Sequence, residues 1–201
     1  MSKILRVVLT GGPCSGKTTA LENVKEYFES KGYIVIQVSE TPTDLMRQGL
    51  TYERFGKKLF QSAIIDMQIA KERIILNTAK TSKSDIIILY DRGVIDHFTY
   101  LTLEEQKDIE LKLNIKKDDF YQEYDAVFHM QSTAIALPDI YTTTEYRLDT
   151  IETAAESDKL IEEFWKQHSY YKKISCTLEF EKKIKQLIGL IEEFILKTDL
   201  E

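Results

Sequence analysis

The segment GGPCSGKT at residues 11–18 restricts the possible folds of this chain more than any other part of it. It fits the pattern G-x-x-x-x-G-K-[ST], and it lies between an apolar run at 4–9 and an amphipathic pattern at 17–32. Glycines let a backbone curl until several N–H groups point at one phosphate, and a helix start adds its positive end. The segment therefore predicts a phosphate-binding loop between a strand and a helix.

The same motif assigns roles to single side chains. Lys17 is expected to reach the β- and γ-phosphates of a nucleoside triphosphate, and the Thr18 hydroxyl to ligate Mg²⁺. ATP is the expected nucleotide and GTP stays open, although NTAK at 77–80 does not continue into a guanine-reading N/T-K-x-D motif. The residues expected to contact the nucleotide are Gly11, Gly12, Pro13, Cys14, Ser15, Gly16, Lys17, Thr18 and Thr19.

Strand and helix patterns alternate along the rest of the chain. Strands are predicted at 4–9, 33–38, 86–90, 124–130 and 171–175, and helices at 17–32, 41–49, about 53–80 and 178–196. This order predicts an α/β fold, a parallel five-stranded sheet with helices on both faces, as in P-loop NTP hydrolases and kinases. We expect one domain over 1–201, with the aperiodic residues 131–150 forming a surface loop or a lid.

Charged residues follow two of the predicted strands. Asp91 and Arg92 end the apolar run at 86–90, and Glu40 follows the strand at 33–38. In parallel α/β sheets the active crevice lies beyond the carboxyl ends of the strands. Asp91 is therefore a candidate Mg²⁺ ligand, Arg92 a candidate phosphate or acceptor contact, and Glu40 a candidate base for an acceptor hydroxyl. Helix capping is the alternative for Glu40, and an ion pair at the next helix start is the alternative for Asp91 and Arg92.

For several other polar residues the sequence gives weaker evidence of a functional role. Arg147 is the only Lys or Arg in residues 131–150, and it is either a lid arginine that stabilises transition-state charge or a solvated loop residue. His97 is expected to be packed or solvent-facing. Gln68, Glu72 and Arg73 lie on a helix that is expected to wall an acceptor pocket, although a solvated helix face is the preferred interpretation for each.

Composition excludes several classes of protein. A net charge of −6 argues against general nucleic-acid binding, which relies on Lys and Arg at phosphates. Cys14 and Cys176 are too far apart to suggest a metal motif and are expected to be free thiols. No apolar run reaches the length of a membrane span, and none resembles a signal peptide. A cytoplasmic location is expected, and the oligomeric state is left open, a dimer included.

Four segments together resemble a known family. VVLTGGPCSGKTTAL, VSETPTDLMRQG, DRGVIDHFTYL and YRLDTIETAAESDKLIEEFW resemble the compact AAA-type P-loop domains grouped with nicotinamide riboside kinase domains and the photoreceptor translocation-defect protein. The resemblance spans about 1–196, and the layout is also similar to deoxynucleoside and thymidylate kinases. It implies that Glu40 is the base, Asp91 and Arg92 the metal and phosphate pair, and Arg147 a lid residue. The 131–150 segment departs from such kinases in having a single basic residue.

Three functions remain compatible with these observations. The first is a kinase that transfers the γ-phosphate of ATP, with Mg²⁺, to a small nucleoside-like acceptor. The second is a slow NTPase or nucleotide-dependent switch whose partner is a protein or a phosphoinositide headgroup, which would need Glu40 less. The third is a domain that binds nucleotide without turnover.

Overall fold

The computed structural model describes residues 2–141 and 150–198. Five parallel strands form a sheet in the order β2-β3-β1-β4-β5. The strands are β1 Ile4–Thr10, β2 Ile34–Val38, β3 Ile86–Asp91, β4 Ala126–Met130 and β5 Tyr171–Ile174. The predicted α/β class and the predicted number of strands are therefore confirmed for the described residues.

Helices connect the strands and cover the sheet. They are α1 Lys17–Ser30, α2 Thr41–Arg47, α3 Tyr52–Phe55, α4 Lys57–Ala79, α5 Val94–Phe98, α6 Leu103–Leu113, α7 Thr133–Ala136, α8 Ile151–Trp165 and α9 Phe180–Thr198. Two 3₁₀ helices span Lys117–Gln122 and Pro138–Ile140.

The structure corrects one helix prediction and contains helices that were not predicted. The long helix expected from about residue 53 is interrupted at Gly56, whose φ of 79° and ψ of 151° end α3 before α4 begins. Neither α6 nor α8 was predicted from the sequence. Both begin with a threonine cap, and Thr102 forms a reciprocal capping box with Glu105. The local signal for α6 was thus present in the sequence.

Apolar side chains fill both faces of the sheet. On one face, Leu5, Val7 and Leu9 of β1 pack with α1 and α9. On the other, alternate residues of β3 such as Ile88 and Tyr90 pack with Trp165 of α8. Because every residue of β3 is buried, its carboxyl end lies inside the molecule. Because β3 pairs in register with β1 up to Leu9 and Asp91, the residues that follow β3 lie beside the loop that follows β1.

The part of the chain that the structure describes contains no helix that is both long and apolar enough to cross a membrane. The expectation of one domain over 1–201 stays a prediction. Residues 131–141 are not a simple surface loop, since they include α7 and the second 3₁₀ helix, and Ser132 and Ala134 are buried.

Asp96 joins three segments on the α8 side of the sheet. Its carboxylate accepts hydrogen bonds from the Thr10 hydroxyl, from the Gly93 N–H at 2.9 Å and from Trp165 Nε1 at 3.0 Å. All four residues lie near the carboxyl ends of β1 and β3 or on the helix that covers them. This buried carboxylate fixes α8 to the edge of the sheet where the loop begins.

Trp165→Phe is expected to lower the free energy of unfolding by about 1–3 kcal/mol, because a buried charged acceptor loses one donor. Urea denaturation followed by circular dichroism measures the change. Tyr171→Phe is the matched control, since the Tyr171 hydroxyl is buried without a hydrogen-bond partner among the described residues. Equal losses in the two variants would show that the Asp96 contact contributes nothing specific.

Candidate active site

The segment at 11–18 forms a tight loop between β1 and α1. Gly11 and Gly16 have φ values of 135° and 84°, which favour glycine. A Cβ atom at Gly11 would lie 2.1 Å from the Met130 carbonyl oxygen, and one at Gly16 would lie 2.4 Å from the Phe180 ring. Close approach as well as backbone conformation therefore requires glycine at both positions.

Lys17 lies across this loop. Its side chain is buried, and its ammonium donates to the carbonyl oxygens of Gly11 at 2.7 Å and Gly12 at 3.0 Å and to the Ser15 hydroxyl at 3.0 Å. The cation predicted to bind phosphates is therefore held at the loop itself. Thr18, at the start of α1, is exposed.

Asp158 and His129 lie behind the loop, and no sequence pattern identified either residue. The Asp158 carboxylate accepts from the Gly12 N–H at 2.6 Å and lies 3.2 Å from His129 Nε2. Burial alone would raise the pKa of Asp158, but the adjacent His129 ring and the hydrogen bond from the Gly12 N–H outweigh it and lower the pKa. A Cβ atom at Gly12 would lie 2.7 Å from the Asp158 Cβ, so a side chain there would displace α8.

Asp91 and Arg92 end β3 next to this loop. Asp91 is paired in register with Leu9 of β1, and its side chain is almost fully buried. Arg92 adopts a left-handed conformation with φ 73°, and its guanidinium donates to Glu40 Oε1 at 2.9 Å and to the Gly11 carbonyl at 3.2 Å. Asp91 and Arg92 therefore lie where the end of β3 meets the end of β1 and the phosphate loop.

Arg92 keeps its charge despite burial. Desolvation disfavours the cation, but the nearby carboxylates of Glu40 and Asp96 help to outweigh it, and the pKa of Arg92 is raised above the ordinary value. The guanidinium lies 3.7 Å from Asp96 Oδ1 as well as against Glu40. Arg92 thus forms ion pairs with Glu40 and with Asp96 of α5, and the functional roles expected for Asp91 and Arg92 stay predictions.

Glu40 lies between β2 and α2. It occupies the N-cap position of α2, which matches the capping alternative by position. Its carboxylate accepts from Arg92 Nε and, at 2.6 Å, from the Thr43 hydroxyl, and the side chain is 15 % exposed. Glu40 therefore faces both Arg92 and a solvent-accessible space.

That space is a cavity of about 140 Å³ beside the loop. Larger grooves of about 450 and 460 Å³ lie along α6 and between α1 and α9, but neither is lined by Pro13 of the loop or by Glu40. The residues that line the smaller cavity are Pro13, Glu40, Pro42, Thr43, Met46, Phe60, Gln61, Ile64, Arg92, His97 and Tyr100.

Two polar side chains of this cavity were not expected there. His97 is buried, as its packed interpretation predicted, and Gln61 was not singled out by the sequence. Among the described residues, His97 Nε2 and Gln61 Oε1 have no hydrogen-bond partner. Burial lowers the pKa of His97 to about 4, so its ring is neutral near pH 7. The cavity thus combines apolar walls with polar atoms suited to a small polar ligand.

The preferred interpretation of Gln68 and Glu72 as solvated residues is wrong. Both are buried on α4, whereas Arg73 is exposed as expected. Gln68 Nε2 donates to Glu72 Oε1 at 2.8 Å and to the Arg92 carbonyl at 3.3 Å. Hydrogen bonds with other buried groups therefore satisfy the polar side chains on this face of α4 and connect the helix to the end of β3.

Arg147 lies outside the described residues, as do residues 142–149 of the predicted lid at 131–150. Its assignment therefore stays a prediction. Within the described residues, no group of three or more His, Cys, Asp or Glu side chains is arranged to hold a metal ion.

A family model described as AAA domain matches residues 6–180. The chain belongs to this family. With its phosphate loop, the AAA domain is a P-loop kinase or NTPase, which confirms the predicted enzyme class and the resemblance to AAA-type P-loop domains.

A solved structure supports the fold of this AAA domain. Deoxyadenosine kinase from M. mycoides, with bound dATP, aligns with a TM-score of 0.55 at 18 % sequence identity and covers 94 % of this chain and 100 % of that one. At this level of identity the match shows a shared fold. No curated protein sequence matches the chain.

The AAA domain has a buried acid whose titration is measurable. Burial raises the pKa of Glu72 to about 7, although bonds from Gln68 and Tyr124 oppose the shift. Between about pH 4.5 and 7 the folded state then binds more protons than the unfolded state, so the free energy of unfolding falls as pH rises. Glu72→Gln is expected to make that fall shallower in urea titrations at several pH values.

Glu181→Gln, an exposed substitution on α9, is the control for this measurement. It should reproduce the pH dependence of the wild type. An unchanged slope in Glu72→Gln would mean that the Glu72 carboxyl ionises normally inside the protein.

Proposed function

We propose that this AAA domain is an ATP- and Mg²⁺-dependent phosphotransferase that acts on a small nucleoside-like acceptor. The observation that supports it most is the cavity of about 140 Å³ that adjoins Pro13 of the phosphate loop and contains the Glu40 carboxylate. A slow NTPase or a switch with a protein or phosphoinositide partner is the alternative, and it has no need of a carboxylate in a cavity beside the loop.

The proposed reaction uses groups of this chain at each step. The loop N–H groups and Lys17 bind the triphosphate, and the cavity receives the acceptor hydroxyl. Glu40 accepts the proton of that hydroxyl as its oxygen attacks the γ-phosphorus, and ADP leaves with the electron pair of the broken P–O bond. Arg92 Nε, 2.9 Å from Glu40 Oε1, keeps the carboxylate oriented towards the acceptor.

The polar atoms of the cavity would orient the acceptor. Gln61 Oε1 and the neutral His97 ring offer hydrogen-bonding positions, and Met46, Phe60 and Ile64 offer apolar contact. A heterocyclic group with polar edges matches this combination better than a charged headgroup. Arg147 remains the candidate lid residue that would contact the transferred phosphoryl group.

The residues proposed for Mg²⁺ fit that ion by donor type. Thr18 offers a hydroxyl and Asp91 a carboxylate, both hard oxygen donors. Thr18 lies at the start of α1, directly after the loop, and Asp91 ends β3, which pairs with β1. Mg²⁺ in nucleotide sites keeps water and phosphate oxygens as ligands, so a site with few protein carboxylates suits it. When bound, the ion would neutralise charge that develops on the phosphate oxygens.

Incubation with ATP and Mg²⁺ plus a panel of nucleosides, nucleotides and nicotinamide riboside tests this proposal. Acceptor-dependent ADP formation is expected, and Glu40→Gln should reduce its rate by about 10²–10⁴-fold while ATP binding, measured by calorimetry, stays nearly unchanged. Glu22→Gln, an exposed change on α1, is the control and should turn over normally. Slow ADP formation that no acceptor stimulates would favour the switch.

Asp91→Asn is expected to shift the Mg²⁺ dependence of turnover to higher concentration, because the amide lacks the negative charge that Mg²⁺ prefers. Initial rates over a Mg²⁺ titration at fixed ATP measure the shift. Asp66→Asn, on α4, serves as the matched control. An identical titration for Asp91→Asn and wild type would remove Asp91 from the metal site.

A further inference from the structure

Three carbonyl groups of the phosphate loop, those of Pro13, Cys14 and Ser15, accept hydrogen bonds from side chains outside the loop. In a planar trans peptide, the C=O of one residue and the N–H of the next point in opposite directions. The described residues contain no cis peptide bond. A donor that holds a loop carbonyl outward therefore aims the following N–H inward, towards the space that a phosphate would occupy.

Donors from the segment after β4 hold two of these carbonyls. The Ser132 hydroxyl donates to the Pro13 carbonyl, and the Thr133 hydroxyl donates to the Cys14 carbonyl at 3.2 Å. By the peptide geometry these bonds aim the N–H groups of Cys14 and Ser15.

Lys183 holds the next carbonyl in this series. Its ammonium comes from α9 and donates to the Ser15 carbonyl at 2.8 Å and to the Gln131 carbonyl at 2.8 Å. The residue is 2 % exposed, and burial lowers its pKa below the ordinary value for lysine. Removing a lysine ammonium from water costs free energy, and hydrogen bonds to the two carbonyl groups offset part of that cost.

The contact between Lys183 and the Ser15 carbonyl shares a feature with the other buried cations of the described residues. Lys17, Arg92 and Lys183 are the buried Lys and Arg residues among 2–141 and 150–198. Each of the three donates to a carbonyl of the phosphate loop. Lys17 and Arg92 were expected near phosphates from the sequence, whereas Lys183 lies on the closing helix and matches no motif.

We propose that Lys183 is a positioning residue of the phosphate site: it holds the Ser15 carbonyl so that the Gly16 N–H points at the bound phosphate, and it adds a buried positive charge behind the loop. This inference rests on the phosphate-binding part of the proposed function. It needs neither a particular acceptor nor transfer of the phosphoryl group.

Lys183→Met removes the charge and the donor with little change in length. ADP affinity, measured by calorimetry without any acceptor, is expected to fall about 10- to 100-fold, the range for one charge-assisted hydrogen bond. Adenosine, which has no phosphate, should bind equally to both proteins. Lys183→Arg should recover part of the loss, and the neighbouring exposed change Lys182→Met should bind ADP like the wild type.

A spectroscopic signal separates positioning from a loss of stability. In wild-type protein, ADP should move the Gly16 amide resonance strongly downfield in ¹H–¹⁵N spectra. In Lys183→Met that shift should be much smaller even at saturating ADP. A change in unfolding midpoint alone, with ADP affinity and the Gly16 shift both preserved, would overturn the proposal.

If Lys183→Met gives no folded protein, Lys183→Gln, which keeps a neutral donor, takes its place with an expected loss of about tenfold. Unchanged ADP affinity in that variant would overturn the inference and leave the proposed phosphotransferase standing. ADP binding that depends on Lys183, with no transfer to any acceptor, would contradict the phosphotransferase and support the inference. Failure of wild-type protein to bind ADP would overturn both.

Discussion

The arrangement of the site depends on the guanidinium of Arg92. One cation holds the Glu40 carboxylate at 2.9 Å and the Gly11 carbonyl at 3.2 Å, and it lies 3.7 Å from Asp96. This is possible because β3 lies between β2 and β1, so the residue that follows β3 reaches the exits of both neighbours. Loss of the cation would leave two shielded carboxylates without their partner, which is costly in a protein interior.

Local patterns in the sequence were sufficient for much of this structure. The glycine spacing at 11–18 identified the loop, and short apolar runs identified the strands. The rule that parallel strands present their carboxyl ends at one edge placed Glu40 and Asp91 near that loop, and their positions agree with it. These predictions worked because each depends on residues that are adjacent in the chain or on a topology with few alternatives. The catalytic roles of these residues remain proposals.

Burial of polar side chains could not be predicted in the same way. Gln68 and Glu72 look like a solvated helix face because their partners lie far away in sequence, as with Tyr124, whose hydroxyl donates to Glu72 at 3.0 Å. Asp158 was missed for a related reason, since its partners Gly12 and His129 belong to other elements. Such contacts exist only once the elements are packed. The capping signals of α6, by contrast, were local and sufficient to predict that helix.

The net charge of the chain is negative, whereas its buried Lys and Arg side chains lie at the phosphate loop. The whole molecule carries −6, yet its buried cations Lys17, Arg92 and Lys183 all meet the phosphate loop. Exposed charges more than about 10 Å away are largely screened at 0.1 M salt, so a ligand in the loop is governed by the near, buried groups. A carbonyl satisfies the hydrogen bonds of a buried cation without cancelling its charge. For Lys17 and Lys183 the loop carbonyls therefore permit burial of a charge that stays available to a small phosphate ligand, whereas the charge of Arg92 is offset by its ion pairs with Glu40 and Asp96.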